Sequence, residues 1–109
     1  MSDFTNYQAS SAQFAIYPKE HELTYLTMGL CSEAGEVADK VKKAIRDKGG
    51  VIDDTIADAI SSELGDVLWY ITQLATSFGY ELSDIAEGNI NKLTSRMNRD
   101  QIKGSGDNR

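Results

Sequence analysis

From Lys19 onward the apolar residues fall at Leu23, Leu26, Leu30, Ala34, Val37, Val41 and Ala44, in steps of three and four. Those steps keep one face of an α-helix apolar, whereas a half-buried strand needs alternation at every second residue. The spacing predicts a long helix from about Lys19 to Lys48, stopped by Gly49-Gly50, residues that weaken helices and tolerate a left-handed backbone. Asp53 or Asp54 is suited to cap the next helix, whose stripe reads Ile56, Ile60, Leu64, Val67, Leu68, Ile71, Leu74 and Phe78, with Gly79 closing it. A further helix follows from an N-cap at Ser83 through Ile85, Ala86, Ile90, Leu93 and Met97. Ahead of Pro18, the stretch from Asp3 to Ile16 has room for one short helix. With no strand alternation or internal repeat to compete, the fold class is all-α, of four-helix-bundle type. It forms a single helical domain over residues 1–103, followed by an irregular Gly-Ser-Gly-rich tail over residues 104–109.

A helix from Lys19 to Lys48 is about 45 Å long, whereas a compact domain of this size has a radius of gyration of about 13 Å. Much of the apolar stripe therefore needs another chain, and a homo-oligomer, dimer or tetramer, is expected. Composition narrows the function. Hydrophobic residues at 40% and charged residues at 26% fit a packed globular protein rather than a disordered one. A net charge of -6 argues against a nucleic-acid surface, which needs clustered Lys and Arg. No apolar run approaches the roughly 20 residues that span a bilayer, so no membrane partner and a cytoplasmic location are expected. The lone Cys31 has no partner for an internal disulfide, and its helical setting predicts a buried, unreactive thiol.

Two pairs of acids stand inside the two long helices. One reads Ser32-Glu33-Ala34-Gly35-Glu36, the other Ser62-Glu63-Leu64-Gly65-Asp66. Residues three apart share a helix face, so each pair makes a two-carboxylate cluster bordering the apolar stripe. If the helices pack antiparallel, as their short connection suggests, Glu33, Glu36, Glu63 and Asp66 converge. The like charges then favour an oxygen-seeking divalent cation such as Mg2+, with Mn2+ able to substitute. Gly35 and Gly65, costly inside helices, suggest close approach of a helix or ligand. The plain alternative is a solvated acidic face. A di-iron bundle needs Glu-x-x-His pairs, which a chain with only His21 lacks, and His21 is given no role.

The last helix carries Asn89, Lys92 and Arg96 on one face, donors suited to triphosphate oxygens and a sugar hydroxyl, unless they form an ordinary exposed face. Lys40 and Lys43, beyond Glu36, are weaker candidates for the same work. Trp69 and Tyr70 stand where an aromatic either fills core or stacks on a base, with core the better reading for Trp69; Tyr7, Tyr17 and Tyr25 are possible walls for a base.

Taken together, Gly29-Leu30-Cys31-Ser32-Glu33-Ala34-Gly35-Glu36-Val37, Glu63-Leu64-Gly65-Asp66-Val67-Leu68-Trp69-Tyr70 and Asn89-Ile90-Asn91-Lys92-Leu93 resemble MazG-like members of the all-alpha nucleotide pyrophosphohydrolases. The ending Gly104-Ser105-Gly106-Asp107-Asn108-Arg109 is similar to the tail of many short MazG-like chains. The resemblance covers nearly the whole chain. It implies an enzyme that cleaves a nucleoside triphosphate to monophosphate and pyrophosphate in nucleotide-pool house-cleaning, with Mg2+ held by Glu33, Glu36, Glu63 and Asp66 and with helices shared between subunits. One of the acids, Glu33 or Glu36 before the others, would serve as general base, and Lys40, Asn89, Lys92 and Arg96 would bind the substrate. A dUTPase-like or phosphoribosyl-ATP-type specificity, or a non-catalytic helical interaction module, is the alternative. The chain differs from two-domain MazG in carrying a single copy.

Overall fold

Where each helix starts and stops follows from how its free amides and carbonyls are satisfied. The computed structural model describes residues 3–100 and 102–107. Helix α1 spans Phe4–Ser11, its first turn capped by Asp3, whose carboxylate accepts the Asn6 amide at 2.8 Å. A 3-10 turn at Ala12–Phe14 ends it. After Pro18 the chain makes a second 3-10 turn, Lys19–His21, closed by the His21 amide on the Pro18 carbonyl at 3.0 Å. Helix α2 is therefore Glu22–Lys48, beginning three residues later than the apolar spacing predicts, and His21 stands at its N-cap position without a side-chain cap bond. Gly49, at φ 62, supplies the left-handed residue that terminates α2.

Helix α3 spans Asp54–Ser77. Of the two expected caps it is Asp53 that serves, accepting the Ile56 amide at 2.9 Å. Helix α4 spans Leu82–Asn98. Ser83, expected to cap it, lies inside the first turn, and the cap position belongs to Glu81, which makes no side-chain cap bond. A tertiary contact fixes this start: the Gln8 side chain of α1 accepts the Leu82 amide, a first-turn donor with no partner inside the helix, at 2.8 Å.

Helices α2 and α3 form an antiparallel hairpin. Lys40 meets Glu63 near the turn, Gly29 lies under Tyr70 further along, and Glu22 accepts a hydrogen bond from Ser77 at the far end. Leu26 and Thr72 are fully enclosed, with Ala44 and Ala75 nearly so. Helix α1 lies across α3 through polar anchors: Gln73 donates to the Ser11 hydroxyl at 2.8 Å, Trp69 to the Ser11 carbonyl at 3.2 Å, and Gln8 to Thr76 at 2.9 Å and to the Tyr80 carbonyl at 3.0 Å. Helix α4 packs on α1 and, more lightly, on α3.

The described residues contain only helices and turns, in agreement with the all-α expectation. They leave much apolar surface open. The chain exposes 7642 Å², against about 6,000 Å² for a compact monomer of its mass, and its radius of gyration is 16.8 Å rather than about 13 Å. Leu64, Ile90 and Met97 face outward, each more than half exposed. Cys31, expected to be buried, is also exposed. No helix among the described residues is long and apolar enough to cross a membrane.

Candidate metal centre and anion site

The antiparallel hairpin turns the acid pairs toward each other. Glu33 of α2 and Glu63 and Asp66 of α3 each bring a carboxylate oxygen to within 4.8 Å of the others. Glu33 and Glu63 are partly buried and Asp66 is exposed. Partial burial, a hydrogen-bonding contact with Glu63 and the charges of Asp66, Glu63 and Glu36 together push the Glu33 carboxyl above its ordinary range. The three-oxygen group does not include Glu36, which is exposed one turn further along α2. Lys40 places its ammonium 3.4 Å from Glu63 and so offsets part of the cluster's charge. An all-oxygen set of clustered carboxylates suits a hard divalent cation.

Neither Gly35 nor Gly65 is approached by anything: a methyl group at either position would meet no atom within 4 Å. No helix among the described residues makes the close approach expected at these two glycines. The crowded glycine is Gly29, where a methyl would overlap the Tyr70 ring. Its signal in the sequence was its place one turn before Glu33, on the acid-bearing face. Tyr70, Tyr25, Met28, Gly29 and Ser32 line a pocket of about 380 Å³. Tyr25 stacks on Tyr17 at 5.4 Å between centroids and lies tilted to Tyr70 at 6.5 Å. The pocket adjoins the acids through Ser32, the neighbour of Glu33 in α2, and the Tyr70 hydroxyl is held above its usual range by burial first, then by Tyr25, Glu33 and Asp66. Tyr7 of α1 likewise titrates high through burial and the Asp66 charge. Trp69, expected as core, is partly buried, edge-on to Tyr70 at 5.0 Å and bonded to α1.

The basic residues of α4 have a different partner. Lys92 and Arg96 both reach Asp107, at 3.2 Å and 3.0 Å, and Asn89 is exposed. Among the described residues no ion pair joins Lys92 or Arg96 to the four acids. Arg96, read from sequence as part of a polar face, has a side chain only 5% exposed. Its Nε, among the described residues, has no hydrogen-bond partner. Sequence reasoning missed Asp107, since nothing local in a Gly-Ser-Gly segment tells where its acid will land. Asn108 and Arg109, the rest of the expected tail, lie outside the described residues.

Comparison with known proteins gives this arrangement a family. The profile of the MazG nucleotide pyrophosphohydrolase domain matches residues 21–99, a stretch that takes in all four acids and the cations of α4. The chain is also 50% identical over 109 residues to the Gene 37 protein of Mycobacterium phage L5, covering 94% of this chain and 96% of that one. No solved structure matches. The acid-lined helical hairpin and the profile match agree, and the chain belongs to the MazG nucleotide pyrophosphohydrolase family.

Proposed function

We propose that the protein hydrolyses a nucleoside triphosphate, ribo- or deoxyribo-, to the monophosphate and pyrophosphate, in a Mg2+-dependent reaction that cleans the nucleotide pool. The observation that carries this reading is the convergence of Glu33, Glu63 and Asp66 beside the tyrosine-lined pocket. These three acids would hold Mg2+ through their oxygens, and Glu36 either completes the set or takes the proton of the attacking water. When bound, the cation supplies neutralisation of phosphate charge and a more acidic water. Lys40 steadies Glu63, and in the loaded site its ammonium can turn to a phosphate oxygen. Tyr25 and Tyr70 present ring faces suited to a base, with Gly29 leaving room for the Tyr70 ring.

Lys92, Arg96 and Asn89 fit the triphosphate by chemistry, but in one chain their ion pairs go to the tail rather than to the acidic seam. The excess open surface and the outward apolar residues of α4 support assembly into a homodimer or tetramer, in which α4 of one subunit would approach the hairpin of another. A panel of canonical and damaged nucleoside triphosphates, incubated with Mg2+ and resolved by chromatography, tests the reading. Monophosphate and pyrophosphate in equal amounts, lost on chelation, are expected. Diphosphate and orthophosphate, or no product from any nucleotide, would refute it.

A further inference from the structure

Residues 102–107 turn back along α4 and end on the face that carries its cations. Lys92 Nζ and Arg96 Nη2 both reach one oxygen, Oδ1 of Asp107, at 3.2 Å and 3.0 Å, and Nη2 also donates to the Gly106 carbonyl at 3.4 Å. Two cations converging on a single anionic oxygen is the arrangement a phosphate oxygen would accept. We propose that the tail is an anionic latch: Asp107 occupies the phosphate site of Lys92 and Arg96, and the substrate must displace it to bind. The proposal rests on reading those two residues as phosphate-binding.

Further features fit a contact made to be exchanged. The Asp107 side chain is 79% exposed, and its pair with the exposed Lys92, open to water on both sides, is individually weak. Arg96 is buried yet keeps, among the described residues, an unpartnered Nε, so the latch leaves one donor of the guanidinium unused. A phosphate offers more acceptor oxygens than the single one that Asp107 presents to both cations. The turn that delivers Asp107 runs through Gly106 at φ 81, a conformation that other residues adopt at a cost. The two cations hold the Asp107 carboxyl below its usual range, so at neutral pH it is ionised, as a triphosphate is.

The test is calorimetric titration of inorganic triphosphate into the full chain without divalent cation, comparing wild type with Asp107→Asn and Gly106→Ala. A latch whose carboxylate stands in water closes the site most but not all of the time, so Asp107→Asn should bind triphosphate roughly three- to tenfold more tightly. Gly106→Ala should give a smaller gain in the same direction, because it strains the turn without removing the charge. Unchanged or weaker binding by Asp107→Asn overturns the latch, weaker binding meaning that the tail helps to hold the ligand. Absence of binding to either protein overturns it too. If nucleotides are hydrolysed and Asp107→Asn leaves triphosphate affinity unchanged, the latch alone fails. If no nucleotide is hydrolysed and Asp107→Asn still strengthens triphosphate binding, the latch stands and the enzymatic reading fails.

Discussion

Helices α3 and α4 both carry an apolar stripe beside a row of chemically useful side chains, but the chain treats them differently. Helix α3 is covered by α2 and crossed by α1, so Glu63 and Asp66 meet Glu33 at a seam that packing defines. Helix α4 leaves Ile90 and Met97 in the open, and its cations turn to the tail. A site built at a packed seam is set by the fold of one chain. A site that needs α4 is set by whatever covers α4.

The comparison is sharpened most by Asp66→Asn. If the seam holds the metal, this change should cost at least about a hundredfold in pyrophosphate release while circular dichroism shows an unchanged helical fold, because one ligand charge goes at nearly constant volume. Wild-type turnover would remove the seam from the chemistry.

How much of this was legible beforehand differs along the same line. The steps of three and four located α2, α3 and α4, and the paired acids could be placed on one face from spacing alone. Those are properties of neighbours in sequence. The polar anchors of Gln8 and Gln73 and the hold of Gln8 on the Leu82 amide at the start of α4 depend on segments distant in the chain. So does the burial of Arg96 under the tail. Apolar spacing told which faces want cover, and could not tell that Cys31 and Met97 would stay exposed among the described residues.

The glycines separate the crowded part of the hairpin from its open part. Gly29→Ala pushes a methyl into the Tyr70 ring and should destabilise by about 1–3 kcal/mol, lowering the melting temperature by several degrees. Gly35→Ala, with open space around it, should instead stabilise by up to about 1 kcal/mol. A loss of stability at Gly35 would mean that another subunit's helix lies against it.

A smaller effect concerns pH. Glu33 binds protons more readily folded than unfolded, so in metal-free protein stability is greatest below its unfolded value and falls as pH rises from that value through the folded one. Denaturant melts in chelator should show this slope, and Glu33→Gln should flatten it. A slope that survives the substitution assigns it to another group.

The central claim, that the acidic seam of one subunit works with the basic stripe of another, is tested most directly by mixing two inactive chains, Asp66→Asn and Arg96→Ala, under conditions where subunits exchange. In a mixed dimer one site regains Asp66 from one chain and Arg96 from the other. Recovery of roughly a quarter of wild-type activity is predicted for random pairing of dimers. No recovery, with mixed dimers confirmed by native mass spectrometry, would place Asp66 and Arg96 in the same subunit's site and contradict the account.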